Sequence, residues 1–451
     1  MSKKVTVEEL LAKAEQPSKD AMRLHPYYKG KIMVLPKCRI RDFNDFAIWY
    51  TPGVASPCKE IHENPEKVYE MTNKGNFVAV VTDGTRVLGL GDIGPEAGLP
   101  VMEGKALLYK YLGGVDAFPV SLDTKDTDEI IRTVKLLQPT FGGINLEDIS
   151  HPKCFTILDT LREECEIPIW HDDQQGTALV TVAGLLNALK IVKKDIEDVS
   201  VVLVGAGAAN IAIARLIIAA GVTSGNIIQL DSKGILHKDR EDADVLKEKF
   251  PEKWHICETT NAKGIKGDIP DAMKDADVLI SASKPGPGVI KKEWVASMAD
   301  DAIVFAEANP IPEIWPWEAQ EAGARIVATG RSDFPNQVNN SLGFPGIFRG
   351  TLDVRARKIT DEMCIEAARE LAQVAEDNGI SEDYIIPNMD EWEVFPREAV
   401  RVGTMAIKQG VARIDIPAEE RYKMAESIIR NSRESLQLLM KENYIIDPDA
   451  E

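Results

Sequence analysis

The sequence predicts an α/β protein with three parts: an N-terminal α/β domain over residues 1–165, a doubly wound domain over 166–390, and a C-terminal helical segment over 391–451. Three observations lead there. From about residue 165, short apolar runs alternate with helical stretches, as in a parallel sheet covered on both faces. A glycine-rich turn, VVLVGAGAAN at 201–210, joins one such run to an apolar helix. Beyond residue 360 the pattern is mostly helical.

In chain order, the first 140 residues mix runs such as FVAVV with Gly- and Pro-dense loops, including TDGTRVLGLGDIGPEAGLP, which read as functional loops. GINL and IPIW read as strands, TALVTVAGLLNALKIV as a helix, VSVVLV as a strand, NIAIARLIIAAG as a helix and NIIQLD as a strand. Later strands are ADVLISAS, AIVFAEAN and RIVATG. Thr360 followed by Asp361 and Glu362 marks a helix start, and AEERYKMAESIIRNSRESLQLLMKE forms a late helix.

A length of 451 residues holds two cored domains, and 44% hydrophobic with 28% charged residues excludes disorder, collagen-like repeats and small disulfide scaffolds. A net charge of -19 argues against nucleic acid and anionic membrane surfaces as partners, though a cleft can still be locally positive. The stretch IAIARLIIAAGV at 211–222 carries Arg215 and is too short to span a membrane, and MSKKVTVEELLAKAE lacks the apolar core of a secretory signal. Six cysteines without a CxxC suggest reduced thiols in a cytoplasmic protein.

Two glycine loops compete as a dinucleotide fingerprint. Gly89-Leu90-Gly91-Asp92-Ile93-Gly94 matches the spacing, but Pro95 and further loop are expected after it. Gly205-Ala206-Gly207-Ala208-Ala209-Asn210 breaks the pattern at Asn210, yet a strand precedes it, a helix follows, and Asp231 ends the next strand 24 residues after Gly207. That context predicts a Rossmann-like NAD(P) site, the pyrophosphate lying on the helix N-terminus and Asp231 on the ribose. Asp231 favours NAD, while the adjacent Ser232 and Lys233 suit the extra phosphate of NADP. The run Gly98 to Ala106 is not a P-loop, because it has the wrong spacing and no Ser or Thr after Lys105.

Two carboxylate pairs, Glu147-Asp148 and Asp172-Asp173, follow strand-like runs and so fall at strand C-terminal ends, where ligands bind in parallel sheets. Such oxygens suit Mg²⁺ or Mn²⁺. The plainer alternatives are a solvated loop for the first pair and helix capping for the second.

With these motifs the chain resembles the malic enzymes, in their compact bacterial and archaeal form without an acyltransferase-like extension. The resemblance is carried, in order, by Tyr50–Ala55, Thr82–Asp92, Glu103–Ala106, LEDI, HDDQQGT, Glu307–Pro310 and Asn339–Gly350. It implies oxidative decarboxylation of (S)-malate to pyruvate and CO2 by a homodimer using NAD, with NADP possible, and Mg²⁺ or Mn²⁺. It implies Glu147, Asp148 and Asp173 as metal ligands, with Asp172 orienting a ligand or water. Lys105 becomes the general base, its pKa lowered by a nearby cation and burial, and Tyr50 the acid that protonates C3. Arg86 would grip a substrate carboxylate, and Asn309 and Asn340 would hold substrate or the nicotinamide ribose, with Asn339 as substitute for Asn340. Rival readings are a malolactic-like decarboxylase without net cofactor reduction and a catalytically inactive NAD-binding regulator.

Overall fold

The computed structural model describes residues 7–449, with side chains described from residue 16. Of the N-terminal run read as lacking a secretory signal, residues 1–6 therefore lie outside the described residues. A helix spans Val7–Tyr28.

Two parallel sheets organise the chain. The first contains β1 (Phe77–Thr82), β2 (Asp116–Ser121), β3 (Gly143–Leu146) and β4 (Ile169–His171) in the order β2-β1-β3-β4. The second contains β5 (Val201–Val204), β6 (Ile227–Asp231), β7 (Gly234–Ile235), β8 (Val278–Ser281), β9 (Ile303–Ala306) and β10 (Ile326–Thr329). Its order is β10-β9-β8-β5-β6-β7, and only the β6–β7 pairing is antiparallel. The order reverses at β5, whose far end carries the glycine turn, and such reversal points open ligand crevices.

Both faces of the central strands are buried, as their unbroken apolar runs require. Val78 and Val80 of β1 pack into the same core as Val201 and Leu203 of β5, a core shared by both sheets. Ala79 and Val81 face a second core under the first sheet, and Val202 and Val204 a third under the second. The helix Thr177–Val192 runs through the shared core. With the preceding turn it forms a 21-residue stretch, Asp172–Val192, long and apolar enough to cross a membrane, but 78% of its most apolar 18-residue window is buried in the protein. It exceeds Ile211–Val222 because the π-helical turn Asp172–Gly176 continues into it.

The structure departs from the sequence reading in three places. β4, expected to start the second domain, pairs with β3 in the first sheet. Alternation reveals a strand but not its neighbours. β2 went unread because Pro119 interrupts it; as an edge strand it tolerates the missing N–H. Pro95 does not continue a loop but opens the helix Pro95–Gly113, where its missing N–H needs no partner. Lys105 thus sits on the buried face of a helix. The late helix Ala418–Lys441 packs back onto the Pro95–Gly113 helix, with Ser432 Oγ donating to Lys110 O at 2.8 Å.

Candidate active site

The C-terminal ends of β3 and β4 bring two of the four acids, Glu147 and Asp172, into contact with Lys105. Lys105 Nζ lies 2.6 Å from Asp172 Oδ2 and 3.1 Å from Glu147 Oε1, with its charge 4.5 Å above the Phe344 ring. The other Asp172 oxygen accepts from Trp170 Nε1 at 2.9 Å, and the other Glu147 oxygen accepts from Asn145 Nδ2 at 2.8 Å. Tyr109, one helical turn beyond Lys105, donates to Asn145 Oδ1 at 3.0 Å. Burial works against the lysine's charge, but Asp172 and Glu147 outweigh it and hold the ammonium above its usual range. This reverses the lowering expected from the sequence, because the nearest groups are carboxylates.

Glu147, Asp148 and Asp173 form the second half of the site, one oxygen of each lying within 4.8 Å of the others. The Asp148 backbone, in the left-handed region at φ 54°, donates its N–H to Asp173 Oδ2 at 2.8 Å. Burial, and then Asp173, pushes the Asp148 carboxyl up to about 8; burial also holds Glu147 well above its ordinary value. Asp148 Oδ2 is buried without a hydrogen-bond partner. Three convergent carboxylates with an orphaned oxygen fit a hard divalent cation, which would supply that partner and relieve their repulsion. Asp172, engaged by Lys105 and Trp170, stands outside the triad. It does not cap the following helix either. A Cβ on Gly176 would lie 2.1 Å from Asp172 Oδ1, so the glycine makes room for this carboxylate.

The second sheet contributes a turn made of backbone. Gly205 has φ +112°, and a Cβ there would lie 2.8 Å from Ala282 O. A Cβ on Gly207 would meet only His151 Cδ2, at 3.9 Å, so the backbone is open to a ligand. Ala208 and Ala209 begin the helix Ala208–Ala220, whose first N–H groups point out of the turn. Asn210 is buried behind this turn. Its Nδ2 donates to Val204 O at 2.8 Å and to Gly205 O at 3.3 Å, bracing the turn from within. These features fit a dinucleotide pyrophosphate. Asp231 ends β6, Ser232 is exposed, and Lys233 Nζ pairs with Asp242 at 3.0 Å.

The remaining candidates divide. Arg86 is exposed but anchored, its N–H donating to Asp148 O at 2.9 Å. Asn340 adjoins the Asp172 turn, its Cβ 3.1 Å from where a Gly176 Cβ would stand. Asn339 instead caps the short turn Asn340–Leu342 by accepting from Ser341 N at 3.0 Å, which distinguishes the two. Asn309 precedes Pro310 beside Gly330. Tyr50 is 72% exposed and takes no part in the Lys105 network. Sequence reasoning missed Asn145, Tyr109 and Trp170. A polar residue inside GINL and a tyrosine four positions after Lys105 were the available signals.

A cavity of about 530 Å³ lies alongside, lined by Thr85, Ser150 and His151 from the first sheet's loops and by Pro251 and Glu252 from the second domain. Residues 29–162 match the family described as Malic enzyme, N-terminal domain, and residues 174–407 match Malic enzyme, NAD binding domain. The Bifunctional malic/malolactic enzyme of Bacillus subtilis (strain 168) is 52% identical over 403 residues, spanning 89% of this chain and 96% of its own. The NADP-dependent malic enzyme of Halomonas elongata is 43% identical over 399 residues, spanning 85% and 92%. The crystal structure of Entamoeba histolytica malic enzyme matches with a TM-score of 0.95 and 54% identity, covering 99% of this chain and 93% of that one.

Proposed function

The chain belongs to the malic enzyme family, and from that premise we propose that it converts (S)-malate to pyruvate and CO2 with reduction of NAD(P)⁺ and dependence on Mg²⁺ or Mn²⁺. The observation that carries this reading is the junction of Lys105 with two carboxylates beside an all-oxygen triad. When bound, the dication supplies Lewis acidity and the nicotinamide accepts hydride.

The protein's own groups supply the rest. Glu147, Asp148 and Asp173 hold the dication. Lys105 Nζ exchanges the proton of the C2 hydroxyl, and Asp172 Oδ2, 2.6 Å away, orients the amine and stabilises the protonated form. With the charge of Glu147 taken up by a cation, the pull on that proton weakens, which favours its transfer. Arg86 pairs with a substrate carboxylate through its planar fork. Asn309 and Asn340 position substrate or the nicotinamide ribose, and Tyr50 donates the proton to C3. The glycine turn holds the pyrophosphate. We assign the protein to the cytoplasm as a homodimer, a state supported by exposed apolar side chains at Val34, Phe43 and Ile48.

The test is an assay of (S)-malate with Mn²⁺, run with NAD and NADP in parallel. Pyruvate and reduced cofactor are expected in equal amounts. The name of the Bacillus subtilis relative supports a second reading, malolactic conversion. Lactate without reduced cofactor would establish it in place of the first.

A further inference from the structure

The Asp231 carboxylate is already engaged by cations. Arg240 Nη1 donates to Oδ1 at 2.9 Å, Lys253 Nζ donates to Oδ2 at 3.3 Å, and the Lys233 N–H donates to Oδ1 at 3.0 Å. Asp231, Arg240 and Lys253 have side chains only 7%, 6% and 16% exposed. Arg240 is fixed by Asp242, to which Nε and Nη2 donate at 2.9 and 3.0 Å, and Lys233 Nζ reaches the same carboxylate at 3.0 Å. Three cations thus meet two carboxylates, giving a locally positive cluster in a chain of net charge -19. Lys253 lies in the first turn of the helix Pro251–Thr259, whose Pro251 and Glu252 line the same cavity as His151, the neighbour of Gly207. The cluster therefore borders the cleft at the glycine turn.

An acid at the end of this strand ordinarily selects NAD by accepting from the ribose 2′-hydroxyl and repelling a 2′-phosphate. We propose that Arg240, supported by Lys253, sets cofactor choice in this chain by cancelling that repulsion, so that the site accepts both NAD and NADP. The inference rests on the dinucleotide reading of the glycine turn. A carboxylate offers about four lone-pair sites. The three donors on Asp231 leave one for a ribose hydroxyl. Arg240 has N–H donors beyond those given to Asp231 and Asp242, and with the Lys253 ammonium and the Ser232 hydroxyl it can receive a phosphate. One cluster thus keeps an acceptor for NAD and donors for NADP.

The experiment measures binding of NADH, NADPH and adenosine 2′-monophosphate by fluorescence titration and calorimetry, without turnover. Wild-type protein is expected to bind NADH and NADPH with dissociation constants within about tenfold of each other. Arg240→Met should weaken NADPH and adenosine 2′-monophosphate by roughly 10- to 100-fold while changing NADH by less than about threefold. Lys253→Met, at a more exposed position, should shift the same ratio by a smaller factor, and it keeps the test decisive if Arg240→Met fails to fold. Equal losses for NADH and NADPH in the variants, or wild-type rejection of NADPH by more than about 100-fold, would overturn the proposal while leaving the dinucleotide reading intact. Binding of neither cofactor by wild-type protein would overturn both.

Discussion

The two parallel sheets present their C-terminal edges to one cleft but equip them differently. The first edge is built of ionisable side chains: Lys105, Glu147, Asp148 and Asp172 are all buried, one ammonium among three carboxylates. At the second, the Gly205–Gly207 turn and the Asn210 brace form a cradle of backbone, flanked by the paired charges of Asp231 and Arg240 at the end of β6 and, at the end of β9, by the buried Glu307. Burial pushes the Glu307 carboxyl up to about 8. Thr181 Oγ1 donates to Glu307 Oε1 at 2.8 Å, and Glu307 Oε2 is buried without a hydrogen-bond partner. Like charges packed at the first edge create a demand for a cation. A backbone cradle at the second admits a pyrophosphate without needing a balancing charge, so substitutions at the two edges should fail differently.

The largest effect is expected at the charged edge. Lys105→Ala should lower kcat for malate oxidation by roughly 10²- to 10⁴-fold, since it removes the proposed proton acceptor. It also strands Asp172 and Glu147, and losing one member of a buried ion pair destabilises by about 3–5 kcal/mol. Steady-state kinetics paired with calorimetric melting separates the two effects. A kcat within about tenfold of wild type would remove Lys105 from the chemistry and with it the contrast between the edges. Next in size, Asp173→Ala should weaken Mn²⁺ binding, measured by isothermal calorimetry, by at least about tenfold. Unchanged affinity would take Asp173 out of the ligand set.

The smallest expected effect sharpens the second edge. Glu307 has an ordinary value of 4.5 and a folded value of about 8, so between these the folded protein keeps a proton that the unfolded chain releases. The stability from this group is fully present below pH 4.5 and is lost as pH rises to about 8. Glu307→Gln, neutral throughout, should flatten that dependence, with the drop in Tm between acid and alkaline buffer shrinking by on the order of a few degrees. Identical pH profiles for variant and wild type would show that Glu307 is ionised across this range.

Much of this was legible locally. Strand positions, the helix start at Thr360, the acids at strand ends and the glycine turn all follow from periods and terminators spanning a few residues, and the structure has them: Thr360 Oγ1 accepts from Met363 N at 3.2 Å, and Glu147, Asp172 and Asp231 sit at the ends of β3, β4 and β6. Pro95, expected to continue a loop, opens a helix, and Pro119 sits inside an edge strand that the sequence reading did not include. Its effect depends on whether the missing N–H had a partner, which is a tertiary fact.

By itself, then, the sequence determined which chemical groups the protein carries and which end of each strand they occupy, because backbone geometry repeats over short distances. Only the tertiary structure decided which groups meet. Lys105 and Asp172 are 67 residues apart and pair at 2.6 Å; Lys253 reaches Asp231 across 22 residues; and β4 joins β3 instead of the sheet that follows it. Those meetings depend on strand order and helix crossovers. They alone made Asp172 a partner of Lys105, raised the lysine's proton affinity and turned Asp231 from a bare acid into one held between two cations.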